Sequence, residues 1–426
     1  MEFTRSSGVL LPMFSLPSEY GIGTMGRTAR VFIDFLSDAG QKWWQMLPVE
    51  TAGYGNSPYY CPDAFESSPL FLDLDSLIEE GLLDRAEVEA IDWGSDPSRV
   101  DYDKVRSGRE KLFAGLGRDQ LQELFAKQWK EMRGYAHSKG IGLIGDIPIY
   151  VPADSVDVKN HPGDFQLDAE GKPKAVAGVP PDDFSAEGQL WGNVLYDWDA
   201  MKKNGYNWWI RRIGRAAELF DMIRIDHFRG LSQYWSVPYG AKSAKEGHWE
   251  PGPGIEFVKT ITGWFSDTKF IAEDLGVLTQ DVGELLTESG LPGMKVLEFA
   301  FDPDCESTYL PHAMGENCVC YIGTHDNCTA REWAEGDTPQ KCKDFARLYL
   351  HITDDEGMVW GLIRGGMSSP ARLFVTQMQD FLELGGQARI NRPGTVGGNW
   401  EWRLTKEQLK KAPAARIREM TKRYGR

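Results

Sequence analysis

The sequence lacks the features of a membrane protein or a secreted disulfide scaffold. None of its 426 residues falls in an apolar run approaching the eighteen or more residues of a transmembrane helix. The N-terminal stretch MEFTRSSGVLLPMFSLPSEYG has an acid at position 2 and two prolines in its short apolar segment, unlike a signal peptide. Six cysteines are too few to staple so long a chain. We therefore predict a cytoplasmic protein with reduced thiols and no membrane partner.

Excess positive charge is also missing. The chain has 47 Lys and Arg against 63 Asp and Glu, a formal net charge of −16. Nucleic acids and anionic membranes select basic surfaces, so neither is expected as a partner. The composition does not indicate an oligomeric state, and a monomer is compatible with it.

No motif indicates a metal or a cofactor. Cys318 and Cys320 form C-x-C, which lacks the spacing of zinc ligands. The stretch GIGTMG (21–26) matches G-x-G-x-x-G, but the proline-containing segment before it is a poor central strand, and a dinucleotide site needs a strand there. We expect a turn in which Gly26 leads into a helix.

Aromatic residues are abundant, with 15 Trp, 15 Tyr and 20 Phe. Part of this excess must be core, and packing is the alternative explanation for any single ring. Flat rings also suit sugars, whose faces are apolar and whose edges are polar.

Short apolar strands alternate with helical patterns along the chain, which is typical of parallel βαβ architecture. The predicted strands are 41–49, 69–75, 142–151, 222–228, 269–276, 294–301, 318–326 and 372–380. Eight such strands predict a (β/α)8 TIM barrel forming a single catalytic domain over 1–426, without a separate C-terminal β-domain. The long stretches 76–120 and 152–215 are expected to be subdomain insertions between barrel strands, the first of them reduced.

The stretch MIRIDHFRG (222–230) shows why these strands matter for function. Ile223 and Ile225 alternate with Arg224 and Asp226, so one face is apolar and the other carries a guanidinium beside a carboxylate. In a barrel the apolar face packs on the outer helices and the charged face points inward, near the mouth.

Three other strands end in the same way. They deliver Asp146, Glu273, and the pair His325 and Asp326. Each acid taken alone could be a solvated strand end, but four strands that bring acids to one barrel face indicate an active site.

Read in order, the chain contains the motifs SSGVLLPMFSLPSEYGIGTMG, GYGNSPYY, GDIPIYV, QLWGNVLYDW, MIRIDHFRG, IAEDLGVLT, GTHDN and SPARLFVTQMQDFLELGGQARINRPGTVGGNWEWRL. This series resembles the amylomaltases, the disproportionating 4-α-glucanotransferases of glycoside hydrolase family 77 in the α-amylase clan. The resemblance runs from Ser6 to Leu404 and is broken between Leu82 and Gln128, where the chain is shorter than typical members. Asn56 and Tyr60 stand where the family pattern has Asp and Gln.

The resemblance implies an enzyme of starch and glycogen metabolism. It would transfer α-1,4-glucan segments between maltooligosaccharides or longer glucans, by a retaining mechanism and without a cofactor. Asp226 would be the nucleophile, Glu273 the acid/base and Asp326 the third acid.

The residues themselves agree with these roles. Arg224 lies two residues from Asp226 on the same strand face, roughly 6.5 Å away by strand rise. A guanidinium there favours the ionised carboxylate that attack requires. Glu273 has no basic neighbour in IAEDLG, and two anionic acids across the site are expected to raise its pKa and keep a proton on it.

The resemblance also implies the binding residues. Tyr59 is similar to a tyrosine that stacks under the cleaved sugar, and Asp146 is expected to bond a hydroxyl or to steady Arg224. Sugar contacts are further expected at Gln189, Trp191, His325, Asn399 and Trp400. The glycine-rich loop 239–254 resembles a flap over the acceptor groove.

Two other functions stay open at this point. An α-amylase-like or maltosidase hydrolase would use the same acids with water as acceptor, and a non-catalytic glycan-binding protein could retain the scaffold. The intact acids disfavour the second. Products longer than the substrate would distinguish transfer from hydrolysis.

Overall fold

The computed structural model describes residues 4–181, 186–276 and 279–426. The chain divides into two compact units. Among the described residues, the first unit contains those of 50–66 and 145–293, and the second contains those of 4–49, 67–144 and 294–426.

The described residues form two sheets. The strands in chain order are β1 (Ser6–Leu10), β2 (Trp43–Gln45), β3 (Gly142–Ile147), β4 (Ala175–Val179), β5 (Gln189–Val194), β6 (Met222–Ile225), β7 (Gln233–Pro238), β8 (His248–Pro251), β9 (Lys269–Ala272), β10 (Gly293–Val296), β11 (Cys318–Tyr321) and β12 (Leu373–Gln377). An eight-stranded sheet has the order β10-β11-β12-β1-β2-β3-β6-β9, with parallel pairing between β12 and β1, β1 and β2, β2 and β3, β11 and β12, and β6 and β9. A four-stranded antiparallel sheet in the first unit has the order β5-β4-β7-β8.

The helices are α1 (Arg27–Asp38), α2 (Leu74–Glu79), α3 (Arg85–Glu89), α4 (Tyr102–Phe113), α5 (Arg118–Ser138), α6 (Val156–Asn160), α7 (Trp198–Lys203), α8 (Asn207–Leu219), α9 (Gly254–Trp264), α10 (Gln280–Ser289), α11 (Ala330–Glu335), α12 (Gln340–Tyr349), α13 (Met358–Ser368), α14 (Met378–Phe381), α15 (Lys406–Lys411) and α16 (Ala414–Arg423). Eight parallel strands alternating with these helices confirm the predicted (β/α)8 class. No strand follows β12: the residues after it, all of which are described, form helices, turns and loops, with one isolated bridge between Trp402 and Arg99.

One predicted strand is wrong. Residues 69–75 are not extended: Pro69–Phe71 form a 3₁₀ turn and Asp73 caps α2 by accepting the Ser76 N–H. Phe71, Leu72 and Leu74 are buried whereas Leu70 is only half-buried, so burial does not alternate here as it would in a strand. The eighth strand is β1, in which Gly8 lies so close to Trp43 that a side chain would clash with it.

Asp73 and Asp101 have structural roles at helix starts. Asp73 caps α2, and Asp101 caps α4 by accepting the Lys104 N–H, as turn and cap residues do. The Asp73 carboxylate also occupies the space that a side chain at Gly26 would need, next to the start of α1. The expectation that Gly26 leads into a helix is therefore confirmed.

Much of the aromatic excess is core, as the alternative explanation held. In the first unit Tyr196, Trp208, Trp209 and Phe257 are buried with ring centroids 5.4–5.6 Å apart. The indole of Trp208 donates to Asp157 at 3.0 Å, so the polar atom of this buried ring is satisfied.

The two long stretches between strands contain secondary structure. Residues 76–120 carry α3 and α4 in the second unit, and residues 152–215 carry α6 to α8 with β4 and β5 in the first unit. We keep their assignment as insertion subdomains of one catalytic domain as a proposal. No helix among the described residues is long and apolar enough to cross a membrane.

Candidate active site

Arg224 is the electrostatic centre of the predicted site in the first unit. It lies on β6 with 3% of its side chain exposed, and its Nη1 donates to both oxygens of Asp146, at 2.8 and 2.7 Å. The same nitrogen donates to Asp226 Oδ1 at 2.9 Å. Burial alone would lower the pKa of Arg224, but the two carboxylates raise it well above its usual value. The guanidinium is thus permanently charged, and Asp146 steadies it, one of the two roles expected.

Tyr59 extends this network. Its hydroxyl donates to Asp146 Oδ2 at 2.8 Å, so Asp146 holds a tyrosine as well as an arginine. The ring is partly exposed, which leaves a surface that a sugar could contact. Asn56 and Tyr60 lie near it in sequence: Asn56 adopts a left-handed φ of 60°, and the Tyr60 hydroxyl donates to Asp154 at 3.5 Å.

Glu273 is the first residue after β9, just as Asp226 is the first residue after β6. The strands pair in register, with Ile225 opposite Ala272, so the two acids come directly after paired residues. Neighbouring strands lie about 4.8 Å apart, so the two acids leave adjacent strands at the same level, as suits the paired carboxyl groups of a retaining glycosidase.

The Glu273 carboxylate is buried, with 8% of the residue exposed. It accepts the backbone N–H of His227 at 2.6 Å and that of Leu275 at 2.9 Å. Burial raises its pKa; the charge of Arg224 and the two N–H groups oppose this, and Asp274 adds to it. The direction predicted for Glu273 is therefore confirmed, but burial, not the neighbouring acids, is its main cause.

Gln189 and Trp191 lie on β5 of the first unit. The Trp191 indole donates to Gln189 Oε1 at 3.1 Å, and its ring meets the His227 ring edge-on at 4.9 Å. Trp191 is partly exposed and also packs against the Tyr150 ring at 6.4 Å, and its sugar contact stays a prediction.

The loop predicted as a flap, 239–254, follows β7 and contains β8, with which β7 pairs as an antiparallel hairpin. The Arg229 guanidinium lies 4.1 Å from the centre of the Trp249 ring, and Trp235 packs edge-on against the same ring at 5.0 Å. This cation–π contact ties the hairpin to the segment that follows Asp226.

His325 and Asp326 follow β11 in the second unit. The Asp326 side chain is 44% exposed, and His325 Nε2 lies 3.4 Å from its Oδ1. Asn391 Nδ2 donates to Asp326 Oδ1 at 2.6 Å, and the Asn391 N–H donates to the His325 carbonyl at 3.1 Å. Arg389 Nη2 donates to the Asp326 carbonyl at 2.8 Å.

Asn391 and Arg389 are functional candidates that the sequence analysis missed. Both lie in a loop after β12, where no strand pattern points to a site. The only available signal was their position inside the motif GQARINRPG, next to residues that were singled out.

Asn399 and Trp400 occupy the same loop region of the second unit. Asn399 donates to the Thr395 carbonyl and accepts the Arg392 N–H at 3.0 Å, so its side chain holds the loop together. Trp400 has a left-handed φ of 65°, is 5% exposed, and lies 6.0 Å from the His325 ring. Their predicted acceptor contacts stay predictions.

Behind this loop the second unit buries two further acids, Glu298 and Asp380. The Cys328 thiol donates to Glu298 Oε2 at 3.2 Å, and Asp380 Oδ1 accepts the Ala330 N–H at 2.8 Å. A side chain at Gly323 would collide with Glu298, so this carboxyl supports the backbone that leads to His325. Burial raises the pKa of Glu298 well above its usual value, and Asp380 adds to this.

Asp380→Asn should reduce the pH dependence of stability. Burial raises the pKa of Asp380 to about 7, although the Ala330 N–H opposes the shift. In the unfolded chain the pKa of Asp380 returns to about 4. Between about pH 4 and 7 the folded protein therefore binds more protons than the unfolded chain. The free energy of unfolding then falls as pH rises, by at most about 1.4 kcal/mol per pH unit for one group. The variant's Tm should fall less than the wild type's between pH 5 and 8.

The control for this experiment is Asp267→Asn, which neutralises an exposed aspartate. Its Tm should follow the wild type at every pH. If the curve of Asp380→Asn also runs parallel to the wild type, the Asp380 carboxyl does not titrate in this range.

The structure thus brings together most of the predicted residues within each unit. In the first, Arg224 joins Asp146 and Asp226, and Glu273 lies beside them in register. In the second, His325 and Asp326 are held by Asn391. Among the described residues, no group of three His, Cys, Asp or Glu side chains could hold a metal ion.

The family model described as 4-alpha-glucanotransferase, glycoside hydrolase family 77, matches residues 11–120 and 117–409. The 4-alpha-glucanotransferase of Clostridium butyricum is 40% identical, covering 97% of this chain and 99% of its own, and that of Thermus thermophilus is 39% identical, covering 99% of each. The solved amylomaltase of Streptococcus agalactiae in complex with acarbose has a TM-score of 0.93 at 35% identity, covering 99% of both chains. An α-amylase of Lactobacillus plantarum, at 13% identity and a TM-score of 0.52 over 98% of this chain and 79% of its own, shares the fold.

Proposed function

The chain belongs to the 4-α-glucanotransferase family and is an enzyme of α-1,4-glucan transfer, and we propose that it works by retaining double displacement through an ester on Asp226. The observation that carries this proposal is the pair of acids after β6 and β9. One acid bonds a buried arginine, and the other is buried with a raised pKa. Opposite environments suit opposite roles, a nucleophile that is ionised and an acid that keeps its proton.

In the first step Glu273 protonates the glycosidic oxygen while Asp226 attacks the anomeric carbon. The proton leaves with the departing sugar, and a β-glucosyl ester forms on Asp226. Arg224 keeps the attacking carboxylate ionised and fixes its position, and Asp146 and Tyr59 fix Arg224 in turn. The transition state carries positive charge on the sugar, which the anionic carboxylates stabilise.

In the second step Glu273, now ionised, takes the proton of an incoming sugar hydroxyl. That oxygen attacks the anomeric carbon and the ester bond to Asp226 breaks, so two inversions restore the α-linkage. The charge of Arg224 and the two backbone N–H groups favour the ionised form that this step needs.

We assign Asp326 to hydrogen bonds with hydroxyls of the reacting sugar, with His325 in a similar role. Asn391 supports this assignment, because it bonds both the Asp326 side chain and the His325 backbone and so fixes their orientation.

Maltooligosaccharides and longer α-1,4-glucans are the proposed donors and acceptors. We assign Tyr59 to stacking under the cleaved sugar, and acceptor contacts to Gln189, Trp191, Asn399, Trp400 and the β7–β8 hairpin. The partial exposure of Trp191 and the cation–π contact between the hairpin and Arg229, in the segment after Asp226, support this. We also propose a cytoplasmic location, which the six free cysteines suit.

Incubation with maltotriose alone tests the reaction. We expect glucose and a ladder of longer maltooligosaccharides with little net gain in reducing ends, because exchange of one α-1,4 bond for another is nearly neutral. Transfer competes with abundant water only if the site orients an acceptor hydroxyl, an advantage that can be very large. Added glucose should shift the ladder toward shorter products. Reducing ends that rise with substrate loss, and no product above three units, would make the protein a hydrolase.

A further inference from the structure

The turn after β6 aims two successive backbone N–H groups at one residue. The His227 N–H donates to Glu273 Oε2 at 2.6 Å, and the Phe228 N–H donates to the Glu273 carbonyl at 2.9 Å. The Glu273 N–H donates to the Ile225 carbonyl at 3.0 Å. Glu273 is therefore held by the turn through its side chain and its backbone.

This geometry depends on an unusual backbone conformation. His227 has φ 48° and ψ 48°, in the left-handed region. Successive N–H groups of an extended strand point in opposite directions, so a strand could not direct both at Glu273. The left-handed residue turns them to the same side. Glycine and asparagine adopt this conformation readily, whereas a β-branched residue does not.

The imidazole of His227 is packed in a way that holds the turn. Its ring contacts Trp191 edge-on at 4.9 Å, and its carbonyl accepts the Gly230 N–H at 2.9 Å. A side chain at Gly230 would approach Ile149 to 2.8 Å and the His227 ring to 3.1 Å. Burial and then the charge of Arg229 lower the pKa of His227 to about 3, so the ring stays neutral at working pH.

We propose that His227 is a positioning residue for the acid/base: its left-handed backbone directs an N–H group at Glu273 and sets both the orientation and the proton affinity of that carboxyl. The proposal rests on the acid/base role assigned to Glu273 above. An N–H donor favours the ionised carboxylate, whereas burial favours the protonated acid. The balance lets one group give a proton in the first step and take one in the second.

Other charges act on Glu273 as well and define the background of the test. Arg224 from β6 and Arg229 from the following turn favour its ionised form, and Asp274 beside it opposes ionisation. Asp226 accepts a hydrogen bond from Arg224. None of these groups is altered by a substitution at position 227.

The test compares four substitutions that all remove the imidazole. His227→Gly and His227→Asn tolerate the left-handed conformation, whereas His227→Ala tolerates it less and His227→Val least. Turnover of maltotriose should follow this order. We expect Gly and Asn within about threefold of each other and Val at least about tenfold below them, a part of the roughly 10²–10⁴-fold that a well-placed general acid contributes. If His227→Val does not fold, His227→Ala gives the same comparison.

Two readouts separate positioning from a merely structural role. Without the N–H donor the pKa of Glu273 should rise, so the alkaline limb of kcat should move up by about one pH unit in His227→Val. In His227→Gly the alkaline limb of kcat should lie near that of His227→Asn. With α-glucosyl fluoride, whose leaving group needs no proton, the first-turnover release of fluoride by His227→Val should approach that of His227→Asn, whereas later turnovers still need Glu273 as base.

Equal impairment of all four variants would show that the imidazole ring acts, and would overturn the proposal. An alkaline limb that does not move in His227→Val or His227→Ala would do the same. Failure of the proposed function is a different result: the wild type would then hydrolyse maltotriose without forming longer products, and the order of the variants could still be measured on hydrolysis.

Discussion

Asp226→Asn is expected to lower glucan turnover by at least about four orders of magnitude, the scale seen when a covalent nucleophile is removed. The variant should nevertheless fold and bind maltooligosaccharides. Asparagine has nearly the same shape, and its amide oxygen can still accept from Arg224 Nη1. Asp146 remains to neutralise the buried guanidinium, so no buried charge is left unpaired.

Initial rates on maltotriose and calorimetric binding of a longer maltooligosaccharide measure the two halves of this prediction. Asp267→Asn is the matched control, since it makes the same chemical change on an exposed residue of the same unit. It should keep wild-type turnover. Near-normal turnover by a clean preparation of Asp226→Asn would refute its assignment as nucleophile.

The sequence was sufficient to find these acids because the carboxyl ends of parallel barrel strands lie on the same face of the barrel. Asp146 is the last residue but one of β3, and Asp226, Glu273 and Asp326 come after β6, β9 and β11, so an acid near the end of an apolar run marked each position. The alternation of Arg224 with isoleucines likewise predicted its contact with Asp226, and the 2.9 Å bond confirms it.

Other parts of the site follow no local pattern. Asn391 reaches Asp326 from a loop 65 residues later, a contact that only the fold creates. The His227 N–H belongs to the backbone, and its direction depends on a φ of 48°, which a histidine in the sequence does not predict. The main cause of the raised Glu273 pKa is burial, which depends on the surrounding packing and not on the neighbours in IAEDLG.

The wrong strand at 69–75 has a comparable origin. Its leucines and phenylalanine alternate as in a strand, but Asp73 can cap a helix and Pro69 can begin a turn. Local preferences are compatible with a strand and with a turn followed by a helix. The Asp73 N–H donates to the Gln128 side chain, a contact that depends on tertiary packing.

Glu273→Gln should turn over natural glucans about 10²–10⁴-fold more slowly, because the glycosidic oxygen leaves without a proton. The amide of glutamine also has one oxygen in place of two, so it can accept from only one of the N–H groups of His227 and Leu275. The buried group is then held less firmly, which adds to the loss.

An activated donor separates these effects. With α-glucosyl fluoride the leaving group needs no proton, so the first step of Glu273→Gln should recover while the second, which needs a base, stays slow. The ester should therefore accumulate, and mass spectrometry of the digested protein should place one added glucosyl group on Asp226. The double variant Asp226→Asn with Glu273→Gln serves as the control and should carry no label. A label on any other acid, or an unlabelled Glu273→Gln that releases fluoride at the wild-type rate, would overturn the pairing of nucleophile and acid/base.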